Sequence, residues 1–172
     1  MQKNFSYPLI VDEITAAEKK YNLTATPDEL VELAEILKVP SVKSFSAEIN
    51  TKLNKKAHML NVWGSVSAEL ELQSVISLEN FFKCYSPEFE LVYDTKATLK
   101  SQREEEAELG DDLPDVIIGG QIDLGQIAIE QLALVMEDYP RKEGEVFHWE
   151  SEFDEEDDKA QNPFKILEKL KK

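Results

Sequence analysis

Cysteine is almost missing from this chain of 172 residues: Cys84 stands alone. A single thiol excludes an internal disulfide and a cysteine-based zinc site, and it fits a reducing compartment. Histidine is nearly as scarce. His58 and His148 are the only two and lie far apart, so no Ser/His/Asp or Cys/His set can be assembled and no ligand cluster forms. Of the six glycines, Gly119-Gly120 is too brief to cradle phosphate and is followed by no Lys-Ser/Thr pair, which leaves a turn. The acid-rich stretches lack the glycine-anchored spacing of a calcium loop. No apolar run approaches membrane-spanning length, and Met1 to Pro8 lacks the apolar centre of a cleaved secretory signal. These absences predict a protein of the cytoplasm that is not an enzyme, with no cofactor, no metal and no membrane contact. Cys84, within Phe81-Phe82-Lys83-Cys84-Tyr85, reads as a small buried or half-buried residue rather than a nucleophile.

Positive charge is also in short supply: 19 Lys and Arg against 35 Asp and Glu, a net charge of −16. Taken whole, that balance opposes nucleic acid. The acid is segregated, however. Residues 101–115 carry seven acids against Arg103, and residues 145–158 carry eight acids with no Lys or Arg; together they leave −2 for everything else. The expectation is a near-neutral domain over residues 1–144, with an acidic loop at about 100–113. An acidic linker and a short C-terminal helix follow over 145–172.

What the chain does contain is periodicity. Phe5 to Val11 reads as a short strand whose Pro8 suits a sheet edge. Thr26-Pro27-Asp28-Glu29 has a hydroxyl cap, a proline at the first helical position and an acid at the third. It starts a helix over about 27–38, with Leu30, Leu33, Ala34 and Leu37 on one face and Pro40 after it. Phe45, Ala47, Ile49, Thr51 and Leu53 then alternate with polar residues. After a turn at Asn54-Lys55-Lys56 the same happens at Leu60, Val62, Gly64, Val66, Ala68, Leu70 and Leu72. A period of two in both runs predicts two long antiparallel strands with one wet face. Phe89 to Tyr93 continues the sheet after a kinked passage from Leu78 to Pro87.

The longest apolar run lies at 114–144. Asp123 is placed to cap a helix and Gln126 to reach back and close a capping box. That helix, over about 123–138, shows only Gln126, Glu130 and Glu137 as a polar stripe, so it must be largely covered; Tyr139-Pro140 stops it. The expected fold is α+β: an antiparallel, strongly curled sheet packed by this helix.

Candidate binding residues fall into two groups. Trp63 breaks the alternation on the wet side, with Met59 four positions before it and Gly64 beside it. Either a helix or loop covers that patch, or it is a recognition surface where Gly64 lets another backbone come close. Arg141-Lys142 beside Tyr139 is either a solvated turn or a phosphate contact led by Arg141, with Lys55, Lys56 and Lys83 behind it. Phe147, Trp149 and Phe153 among acids, with Phe164, Leu167 and Leu170 on one side of the last helix, mark a segment that docks on its own domain or on a partner.

The run Pro114-Asp115-Val116-Ile117, then Ile122-Asp123-Leu124-Gly125, Glu130-Gln131-Leu132 and Tyr139-Pro140-Arg141-Lys142 resembles the signature of the YceD family. Leu33-Ala34, Val62-Trp63-Gly64, Ser77-Leu78-Glu79 and the ending Asn162-Pro163-Phe164 follow the family's order. The resemblance implies a factor needed for synthesis, processing or stability of large-subunit (23S) ribosomal RNA in bacteria and plastids, with no catalytic residues and no cofactor. Ser74 stands where many relatives carry a cysteine, so no metal or redox role passes to this chain. With the charge pattern, the resemblance points to a basic ribosomal protein or large-subunit assembly factor as partner, the alternative being direct contact with ribosomal RNA through Trp63, Arg141 and nearby lysines.

Overall fold

The computed structural model describes residues 5–96 and 114–147. The chain forms two compact units, residues 1–142 and 143–172, and the second is described only from Glu143 to Phe147. The predicted acidic loop at about 100–113, the C-terminal helix, and Trp149, Phe153, Phe164, Leu167 and Leu170 lie outside the described residues.

The first unit is α+β. Its frame is the long hairpin of β3 (Ser41–Asn54) and β4 (Met59–Gln73), closed by Asn54, whose side-chain oxygen accepts from Lys56 N and Ala57 N at 3.2 Å each. β2 (Lys19–Thr24) pairs antiparallel with β3 on one side. On the other side, β4 carries two strands end to end: β6 (Glu88–Asp94) along residues 59–65 and β5 (Asn80–Tyr85) along 68–73. β7 (Asp115–Val116) runs parallel to the end of β6. A separate pair joins β1 (Pro8–Ile10) to β8 (Gln121–Asp123), and the described residues also form two α-helices, α1 (Pro27–Leu37) and α2 (Leu124–Val135).

The core follows from the period of two. Ile49, Leu60, Val62 and Leu70 are fully buried, and Leu33 of α1 and Leu124, Ala128 and Leu132 of α2 join them in one apolar cluster. Both helices therefore lie on the same face of the sheet. Replacing one of these leucines or Ile49 by alanine would cost about 2–5 kcal/mol. α1 starts with a complete capping box: Thr26 Oγ1 accepts from Glu29 N and Glu29 Oε2 accepts from Thr26 N at 2.8 Å.

Four expectations are corrected. The sheet is not strongly curled: its order, β2-β3-β4-β6-β7 with β5 also on β4, leaves the end strands unpaired with each other. β5 and β6 share one edge of β4 rather than adding successive strands, and closure needs a full circuit of staggered strands. The passage before Pro87 is a strand, β5, and not merely a kink. The second helix ends at Val135, and its last turn leaves Leu134 76% and Val135 46% exposed, so it is covered on one side only. Its capping box does not form, because Gln126 Nε2 points onward to Glu130 Oε1 at 3.1 Å.

What replaces that box is a clamp. Asp123 Oδ1 accepts from Gly125 N (2.9 Å), Gln126 N (3.1 Å) and Tyr7 N (2.8 Å), while Oδ2 accepts from Ser6 Oγ. One carboxylate thus caps α2 and ties down the chain's opening segment. Gly125 completes it: a Cβ there would sit 2.5 Å from Phe5 O.

Candidate functional site

The alternation that fills the core with even-numbered residues of β4 leaves the odd ones on the opposite face, away from α1 and α2. Register turns them into cross-strand rows. Ser65 lies between Glu48 of β3 and Glu88 of β6; Trp63 lies between Asn50 and Glu90; Asn61 lies between Lys52 and Val92. Strands are about 4.8 Å apart, so Glu48 and Glu88 flank the short Ser65 at roughly 10 Å. The result is an open recess of about 460 Å³ with Trp63 as one wall and Glu48, Glu88 and Glu90 around it. Trp63 is half-buried and outside the apolar cluster. Glu48 pairs with Lys20 at 2.7 Å, both half-exposed; the other two carboxylates are exposed.

Of the residues singled out in sequence, Met59 and Trp63 share this face, two rows apart. Gly64 also lines the recess, with backbone alone. A Cβ on Gly64 would stand 2.0 Å from Glu48 O, so the backbone that comes close is the neighbouring strand β3, not a partner. Beside Met59, at the hairpin tip, lies a second recess of about 610 Å³ carrying Lys52, Lys55 and Lys56. The face is thus acidic around Trp63 and basic at its tip.

Tyr139, Arg141 and Lys142 lie elsewhere. Pro140 O accepts from Val75 N at 3.0 Å and Lys142 Nζ pairs with Glu79, which seats the segment on the turn after β4. That turn begins ten residues along the strand from Trp63, roughly 33 Å away. The structure therefore separates the two groups. Tyr139 is 75% exposed, Arg141 is exposed and Lys142 is half-buried. Lys83 is held by Glu137 at 2.5 Å, and that hydrogen bond is the main reason its pKa is raised. Glu71 is lowered by hydrogen bonds from Ser41 Oγ (2.6 Å) and then Asn80 Nδ2 (3.0 Å). Buried Ser74 organises the same turn: its Oγ accepts from Ile76 N at 3.2 Å and Ser77 N at 3.3 Å. Cys84, expected to be at least half-buried, is exposed, because β5 turns alternate residues outward. Phe147, in the second unit, is 64% exposed. Among the described residues no group of three or more His, Cys, Asp and Glu could hold a metal ion. No described helix is long and apolar enough to cross a membrane.

A family model described as Large ribosomal RNA subunit accumulation protein YceD matches residues 62–171. The chain belongs to the YceD family. No curated protein and no solved structure matches it. The matched span opens at β4 and takes in Trp63, β5, β6 and α2; the first 61 residues, with β2, β3 and α1, precede it. Two parts of the YceD signature now have a physical basis. Asp123 and Gly125 are the clamp, and Tyr139-Pro140 is the seat on the β4–β5 turn. Sequence reasoning missed Glu48, Glu88 and Glu90 as neighbours of Trp63, although the alternation in β3, β4 and β6 would have aligned them once β6 was set beside β4.

Proposed function

We propose that this YceD-family chain supports accumulation of the large-subunit (23S) ribosomal RNA as a non-enzymatic factor of the cytoplasm. It does so by holding a basic ribosomal protein or a large-subunit assembly factor. One observation carries the reading: Trp63, on the face away from α1 and α2, stands among Glu48, Glu88 and Glu90. Carboxylates in that position attract Lys and Arg and repel phosphate, and the acid-rich 101–115 and 145–158 stretches extend the same preference by speeding encounter with a basic partner. The test is capture with the full chain from a bacterial lysate at rising salt. Basic large-subunit ribosomal proteins or assembly factors should be enriched at low salt and fall away over about 50–300 mM; enrichment of none of them would overturn the proposal.

A second reading, direct RNA binding, has its own observation in Lys52, Lys55 and Lys56 at the hairpin tip. It must do without Arg141, which sits far from Trp63. Titration of the purified chain with large-subunit RNA fragments at low salt separates the two: tight RNA binding that Lys55→Ala with Lys56→Ala abolishes would favour RNA.

A further inference from the structure

A basic partner offers two cationic groups, guanidinium and ammonium, and the recess beside Trp63 suits one of them. Three features of it converge. Trp63 is a large planar aromatic that stands outside the apolar cluster and keeps part of its ring open to a ligand. Ser65, a short side chain between Glu48 and Glu88, leaves a gap in the row beside the indole, and the recess of about 460 Å³ opens there. Glu88 and Glu90 stand on the same side of β6, two residues apart, so both reach toward a group laid on the Trp63 ring. Among the described residues, Lys20 pairs with Glu48.

We infer that the recess formed by Trp63, Ser65, Glu48, Glu88 and Glu90 is a socket for an arginine side chain of a basic polypeptide segment. The inference rests on the reading of the chain as a holder of a basic partner. A guanidinium is flat, stacks on an indole face and donates paired N–H bonds to a carboxylate, which matches a ring bordered by acids better than the compact, strongly hydrated ammonium of lysine. A phosphate-bearing strand could stack a base on Trp63 but would bring its negative charge against three carboxylates. The occupant is therefore a polypeptide.

The experiment uses the full chain and a fluorescently labelled peptide of alternating arginine and serine, read by anisotropy at low and moderate salt. A lysine version, a glutamate version and a single-stranded RNA oligonucleotide form the other arms. The arginine peptide should bind saturably and more tightly than the lysine peptide, and the glutamate peptide and RNA should not compete. Trp63→Ala and the double variant Glu88→Gln with Glu90→Gln should each weaken arginine-peptide binding by about tenfold or more. Circular dichroism should show both variants folded, since none of these residues lies in the core. Unchanged peptide affinity in both variants, or binding of the RNA in place of the peptide, would overturn the assignment. If lysate capture of basic large-subunit proteins survives in both variants while peptide affinity is unchanged, the socket is wrong and the holding role stands. If capture is absent from the unaltered chain, the holding role itself fails.

Discussion

Trp63 and Gly64 are adjacent on one strand and face opposite ways, and almost everything about this molecule divides as they do. On Gly64's side, Leu60, Val62, Val66, Leu70 and both helices make a core in which the β3 backbone passes too close for a Cβ. On Trp63's side polar residues and carboxylates surround the indole, and exposed Phe82 lies farther along the same face. Inward residues are constrained by volume, so altering them costs stability. Outward ones are constrained by no contact that the fold requires, so altering them should cost binding and little else.

The sharpest way to break that division is Gly64→Ala. Its Cβ would meet Glu48 O, a backbone atom held by strand pairing, and the loss should be about 3 kcal/mol or more in urea unfolding. Loss of less than a third of that would show the strands to be freer to move apart than the register implies. Asp123→Ala should come next, at about 2 kcal/mol, because it removes a helix cap and the tie to Ser6 and Tyr7 together. A further loss follows pH. Burial, with Asp115 and Glu130 nearby, pushes Tyr93 up to about 12. The folded state keeps that proton where the unfolded chain, with an ordinary tyrosine, has released it. Stability is therefore full below about pH 10 and falls as pH rises toward about 12. Tyr93→Phe should flatten that decline in denaturation curves taken across the range. Trp63→Ala should cost about 1 kcal/mol, well short of Gly64→Ala, because the indole is half-buried on the strand and outside the core. A Trp63→Ala loss rivalling that of Gly64→Ala would erase the contrast between the faces. Least of all, Lys142→Ala should cost about 0.5 kcal/mol, since its pair with Glu79 is largely exposed.

How much of this was legible in the sequence depended on distance along the chain. The β3–β4 hairpin could be read because its alternation and its Asn54 turn are local. So could the start of α1, where Thr26 and Glu29 are three residues apart. The clamp could not: Asp123 is tied to Ser6 and Tyr7 more than a hundred residues earlier, and no local pattern announces which donor will take up its carboxylate. Gln126 was free to turn toward Glu130 for that reason. β2 went unread because Lys19 to Thr24 holds only two buried residues, Tyr21 and Leu23, against polar neighbours. Trp63 was visible as an exception to the period of two, but its acidic neighbours come from strands on either side, so its chemistry emerged only with register. The same register parted it from Tyr139 and Arg141.

The sheet face carrying Trp63 is proposed to receive arginine from a basic chain, while the Asp123–Gly125 stretch only builds the fold. This proposal is tested most directly by a two-dimensional NMR titration of the isotope-labelled full chain with the arginine–serine peptide. The account predicts saturable shifts in the Trp63 indole N–H and in the amides of Glu48, Ser65, Glu88 and Glu90, with Asp123 to Gln126 unmoved. Shifts confined to the 134–142 segment or the hairpin tip, with the Trp63 indole signal in place, would contradict it.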